Sequence, residues 1–246
     1  MRTEVAAGDL PPIRAILFDK DGTLTDFRAT WEPWMAGTIR DLARASGADP
    51  EDIAADFGFD LATDTIPPHA LFVTAPGDVV VTLVADRIGW APARLSDWLG
   101  TRSAGVRQVV VPGAVATMAA LRATGLPLGV LTNASEAEAM RHLQHMGATA
   151  HLDRVIGCDS GYGAKPDPRG AAAFAAALDL PPGQVLLVGD GMTDMEAARG
   201  AGLPAVAVLT GTLDAAALAP HARAVLPDVT HLPGWLATQG IAGGAT

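Results

Sequence analysis

The stretch Ala15-Ile16-Leu17-Phe18-Asp19-Lys20-Asp21-Gly22-Thr23-Leu24-Thr25 decides how this chain is read. Four consecutive apolar residues cut off by an aspartate read as a short strand buried on both faces. Two carboxylates, Asp19 and Asp21, then stand two residues apart just past the strand. Their mutual repulsion calls for a cation or a raised pKa. Gly22 lets the backbone turn sharply towards a ligand, and Thr23 can cap a helix or tie the loop together. A solvated Asp-Gly turn would carry the same letters. The position directly after a buried strand is what favours chemistry.

Working outward, the pattern recurs. Apolar runs at Pro127–Leu131, Val185–Val188 and Ala205–Leu209 end at Thr132-Asn133, Gly189-Asp190 and Thr210-Gly211. Ala137–Met146, Gly170–Leu178 and Asp194–Ala201 are compatible with helices. Strands alternating with helices predict parallel βαβ units and an α/β fold. In such sheets ligands bind beyond the carboxyl ends of the strands, where Asp19, Thr132 and Asp190 fall. From about Phe27 to Gln108 the alternation stops. Trp31, Trp34, Met35, Ile39 and Leu42 recur at helical spacing, and Val79–Ile88 and Pro92–Leu99 also read as helices. Residues 27–108 are therefore expected to form a helical insertion, and residues 1–26 with 109–246 the core. Residues 1–12 read as a loose lead-in and Gly240–Thr246 as a frayed end.

The whole chain narrows the function. Its 246 residues suffice for one large domain or two unequal ones, and 49% hydrophobic content supports a sizeable core. A net charge of −10 argues against nucleic acid as a partner. It also obliges any phosphate site to gather local cations. The single cysteine, Cys158, rules out an intramolecular disulfide and reads as a small half-buried side chain. No apolar run approaches the ~20 residues of a membrane span, and Met1–Leu10 lacks the apolar region of a secretory signal. A cytoplasmic enzyme with neither nucleic-acid nor membrane partner is expected, its oligomeric state open.

Three further motifs bear on the site. Thr132-Asn133 offers a hydroxyl and a backbone N–H to phosphate oxygens, although a plain turn would look the same. Lys165-Pro166-Asp167-Pro168 sets one lysine in a proline-stiffened segment, either as the missing positive charge or as a solvated side chain. Gly189-Asp190-Gly191-Met192-Thr193-Asp194 puts Asp190 past a strand and Asp194 in a helix's first turn, where the helix dipole also welcomes a carboxylate. Asp19, Asp21 and Asp190 can supply hard oxygen ligands for Mg²⁺, Asp21 through its carbonyl. A carboxylate about 4 Å from a phosphate dianion is repelled by roughly 8 kcal/mol at an effective dielectric of about 20. Mg²⁺ and Lys165 can offset this.

With these elements in this order, the chain resembles the haloacid dehalogenase-like superfamily, and within it the phosphoglycolate phosphatase-type branch with a helical cap. The resemblance rests on Phe18 to Leu24, Leu131-Thr132-Asn133, Lys165 to Pro168 and Gly189 to Asp194. It implies a Rossmann-like core with the insertion as cap. It implies a phosphatase that takes phosphate from a small phosphorylated, phosphoglycolate-like metabolite. Asp19 would be the nucleophile, and Asp21 the acid and then the base. Thr132 and Asn133 would orient the phosphoryl group, and Lys165 would neutralise charge. Mg²⁺ would be held by Asp19, the Asp21 carbonyl and Asp190, with Asp194 binding it directly or from behind. Lys20 departs from the usual apolar residue at its position; it is expected to contact substrate or to reach solvent. Within the insertion, Ile66-Pro67-Pro68-His69-Ala70 is the expected specificity loop, closing over Asp19 with His69 as its polar handle.

Competing readings remain. Asp21 argues against a dehalogenase, and a P-type ATPase-like core would carry threonine there. A sugar-phosphate mutase shares the Asp19 and Asp21 chemistry and differs in its product. A receiver-type signalling module also uses Asp, Thr, Lys and Mg²⁺, but would give a long-lived phospho-aspartate without turnover. A pseudoenzyme is disfavoured because no motif position is lost.

Overall fold

The computed structural model describes residues 11–75 and 77–240; the expectations for residues 1–10 and 241–246 lie outside the described residues. The chain divides into two compact units, residues 27–107 and the remainder.

The larger unit is built on six strands: β1 (Ala15–Phe18), β2 (Leu128–Leu131), β3 (Arg154–Ile156), β4 (Val185–Gly189), β5 (Ala205–Val208) and β6 (Val225–Leu226). They form one parallel sheet in the order β3-β2-β1-β4-β5-β6. This is an α/β sheet of the expected kind. The strand order reverses between β1 and β4, so a crevice opens at their carboxyl ends. Register there is fixed by Phe18 opposite Val188. Side chains alternate across β1. Ile16 and Phe18 join a core with Val130, Val188 and Val206, whereas Ala15 and Leu17 join a second core with Leu131, Phe174 and Leu187. A strand covered on both faces needs no polar alternation, which is why these runs are continuously apolar.

The smaller unit holds α1 (Phe27–Ser46), α2 (Pro50–Phe57), α3 (Leu71–Thr74), α4 (Gly77–Ile88) and α5 (Pro92–Ser103). The helical spacing of Trp31, Met35, Ile39 and Leu42 buries one face of α1 against Ile53, Phe57, Ile66, Val84 and Leu95. Asp49 caps α2 by accepting from the Glu51 N–H at 2.8 Å, with Pro50 in the first turn. Residues 66–70 form a loop. Ile66 is buried; its N–H donates to Glu32 at 3.0 Å and its carbonyl accepts from Arg28 at 3.2 Å. His69 is exposed.

The larger unit continues with α6 (Ala114–Ala123), α7 (Glu136–Met146), α8 (Arg169–Ala177), α9 (Met192–Ala201), α10 (Ala215–Leu218) and α11 (Leu232–Thr238). Within this unit, the segments that flank residues 27–107 are clasped together. The Asp26 N–H donates to the Val109 carbonyl at 2.8 Å, the Val111 N–H to the Leu24 carbonyl at 3.0 Å, and Thr25 and Val110 form an antiparallel bridge. Among the described residues no helix is long and apolar enough to cross a membrane.

Candidate active site

Asp19 follows β1 directly, and its N–H donates to the Val188 carbonyl of β4 at 2.8 Å, so the strand pairing itself carries it to the switch point. Asp190 follows Gly189, the last residue of β4. Asp194 lies in the first turn of α9, where its Oδ2 accepts from the Gly191 N–H at 3.0 Å. The side chains of these three aspartates are buried, and their carboxylate oxygens lie within 4.8 Å of one another. The Lys165 ammonium reaches into this group. It donates to Asp194 Oδ1 at 2.6 Å and forms an ion pair with Asp19. Asp194 thus does both things open to it: it caps its helix and holds Lys165.

Three carboxylates against one ammonium leave the buried cluster two positive charges short. The electrostatics register this. Burial pushes the Asp19 carboxyl up to about 7; Lys165 pulls against this, and Asp194 and Asp21 add to it. Burial likewise raises the Asp190 carboxyl well above the usual range, reinforced by Asp19 and Asp194. Burial disfavours the Lys165 ammonium, but Asp19 and Asp194 outweigh it and raise its pKa. The donor set fits a hard divalent cation in charge and chemistry: it is all oxygen, and its spread is near the roughly 4 Å between opposite ligands of an octahedral Mg²⁺.

The remaining residues take distinct places. Thr132 is buried at the end of β2; its N–H donates to Ile156 at 3.0 Å and its Oγ accepts from the Ala134 N–H at 3.2 Å. The hydroxyl proton is left to donate. Asn133 uses its side chain elsewhere: Oδ1 accepts from the Lys165 N–H at 2.7 Å and Nδ2 donates to the Lys165 carbonyl at 2.9 Å. This two-pronged clasp fixes the loop that presents Lys165. Asp21 stands outside the three-aspartate group and pairs with Lys20 at 2.6 Å. His69 belongs to the other unit.

Lys20 requires a correction. Its side chain is fully buried, so it neither reaches solvent nor lies open to substrate. A charged residue two positions past a strand end is ordinarily a surface residue, and nothing in the sequence signalled otherwise. Two other residues escaped sequence reading. A Cβ on Gly211 would overlap the Asp190 carboxylate, and Thr210 Oγ donates to the Gly22 carbonyl at 2.5 Å. Gly22 has φ of 87° and also abuts Asp190. The one available signal for Gly211 was a glycine three residues past a strand.

The family model for haloacid dehalogenase-like hydrolases matches residues 13–202. A phosphoglycolate phosphatase of Rhodospirillum rubrum is 37% identical over 127 residues, 52% of this chain; the match spans about half, 53%, of that relative. A phosphoglycolate phosphatase of Rhodobacter capsulatus is 30% identical over 230 residues, 89% of this chain and 95% of that protein. Among solved structures, a HAD family hydrolase of Deinococcus radiodurans R1 shares the fold. Its TM-score is 0.67 at 24% identity, over 95% of this chain and 99% of that one. The family match takes in β1, β2 and β4 together with Asp19, Lys165 and Asp190, and on it the chain belongs to the haloacid dehalogenase-like hydrolases.

Proposed function

We propose that this hydrolase removes phosphate from a small phosphorylated metabolite, with Mg²⁺ bound and through an aspartyl phosphate on Asp19. One observation supports this above the others. A buried aspartate at the switch point is paired to Lys165 inside an all-oxygen cluster that lacks two positive charges. A bound Mg²⁺ would supply that charge and lessen the repulsion between Asp19 and a phosphate dianion.

In this reading an Asp19 oxygen attacks phosphorus; its new P–O bond forms as the ester P–O bond breaks. Asp21 gives a proton to the leaving oxygen. It then takes one from the water that cleaves the aspartyl phosphate, which restores both carboxyl groups. The Thr132 hydroxyl and the Asn133 backbone N–H orient phosphoryl oxygens. Lys165 balances charge on Asp19 and the phosphoryl group. Asp190, Asp194 and the Asp21 carbonyl complete the donors for the ion. The phosphoglycolate phosphatases among the relatives favour a small phosphorylated acid as substrate; the net charge of −10 disfavours nucleic acid as a partner, and a cytoplasmic setting away from membranes is part of the same reading. The helical unit, through residues 66–70 and His69, is assigned the leaving-group contacts.

The test is free-phosphate release from a panel of phosphorylated acids, sugars and nucleotides. Asp19→Asn keeps the side chain's shape and removes the anionic nucleophile, so release is expected to vanish while the circular dichroism spectrum stays unchanged. Near wild-type turnover by a folded Asp19→Asn protein would refute the mechanism.

A further inference from the structure

Lys20 sits between the two aspartates to which the phosphatase reading gives the chemistry, and that reading leaves it without a task. Its side chain is 0% exposed, whereas that of Asp21 is 21% exposed. An ammonium removed from water needs an anion close by. Lys20 Nζ has Asp21 Oδ2 at 2.6 Å; the contact lacks the angles of a hydrogen bond, and Nζ has no other partner of that geometry among the described residues. The Lys20 charge also acts on Glu138 of α7, and the buried imidazole of His142 lies within its field.

The lysine's own backbone is held as firmly. Its carbonyl accepts from the Leu24 N–H at 2.9 Å, the Thr25 N–H at 3.1 Å and Thr25 Oγ at 3.2 Å. A stem fixed at its base, ending in a dry ammonium, confines whichever carboxylate compensates it. An acid–base group that is confined reacts faster than one that swings through several rotamers.

We infer that Lys20 is a positioning residue for Asp21: its buried ammonium holds the Asp21 carboxylate in one orientation beside Asp19 and never touches substrate. This rests on the phosphatase reading given above.

The experiment is a double-mutant cycle with two substrates. Lys20→Met keeps the length of the side chain and removes its charge. For an alkyl phosphate such as 2-phosphoglycolate, kcat/KM is expected to fall about tenfold or more, because the poor leaving group needs a well-placed proton donor. For p-nitrophenyl phosphate the fall should be less than about threefold, with KM unchanged for both. In an Asp21→Asn background, Lys20→Met should cost no further activity. The double variant should also melt above Asp21→Asn alone, which strands the buried ammonium. Should Lys20→Met fail to fold, the double variant carries the comparison. Equal losses on both substrates, additive losses in the double variant, or a double variant that melts below Asp21→Asn overturns the positioning role. Wild-type turnover with an unaffected Lys20→Met does so too. If the wild type turns over neither substrate, the phosphatase reading fails and the positioning role falls with it.

Discussion

Acid should destabilise this protein through one histidine. His142 on α7 is 3% exposed, and neither ring nitrogen has a hydrogen-bond partner among the described residues. Burial lowers its pKa; Lys20, Arg141 and His145 push the same way and Asp21 opposes them, leaving it at about 4 against 6.5 in the unfolded chain. As pH falls, the unfolded chain takes up this proton near 6.5 and the folded chain only near 4. Between those values the unfolded state binds more protons, so stability declines with falling pH. A separation of about 2.5 units corresponds to roughly 3 kcal/mol once pH is below both values, of which about 2 kcal/mol is already lost at pH 5. His142→Leu has similar volume and cannot charge. Denaturant unfolding at pH 8, 7, 6 and 5, with Mg²⁺ present throughout, should show the wild type losing about 2 kcal/mol more than the variant on going from pH 8 to pH 5. Parallel stability profiles would show that His142 is solvated or paired when charged, and would refute the argument.

Three further outcomes are expected. Mg²⁺ at about 100 times its Kd should stabilise the fold by roughly 2.7 kcal/mol and chelation should abolish turnover. Ca²⁺, with longer bonds and more ligands, should substitute poorly; full activity in metal-free buffer contradicts the assigned site. Gly211→Ala should displace the Asp190 carboxylate, and a shift near 1 Å can lower kcat/KM by roughly 100-fold; wild-type kinetics would mean that the loop yields freely. His69→Ala should raise KM for the physiological substrate far more than for a small aryl phosphate, and equal responses would remove this loop as the specificity reader.

The central strands were legible because burial on both faces leaves an unbroken apolar run: Ala15–Phe18 and the runs ending at Leu131, Val188 and Leu209 match β1, β2, β4 and β5 within one residue at each end. The edge strands β3 and β6 were not. Arg154–Ile156 and Val225–Leu226 are short and only partly covered, so they carry no such run. The motif order in the sequence already groups Asp19, Lys165, Asp190 and Asp194. What stayed hidden depends on direction rather than residue type. Asn133 turns its amide to the Lys165 backbone, Lys20 points inward, and Gly211 matters only for the carboxylate above it. No one-dimensional pattern records where a side chain points.

The clasp between Leu24–Asp26 and Val109–Val111 bears on how such a chain can diversify. Closing a free loop of 81 residues, the length of the segment from 27 to 107, is about 2.7 kcal/mol harder than closing a four-residue turn. Paired ends remove that dependence, since the neighbouring strands meet the same short ribbon whatever lies beyond it. The sheet is therefore blind to the insert's length and composition. Recombination or drift at Asp26 and Val109 can exchange the whole segment while β1 and β2 keep their register. If residues 66–70 contact the leaving group as proposed, such an exchange would change substrate preference and leave Asp19 and Asp190 where they are.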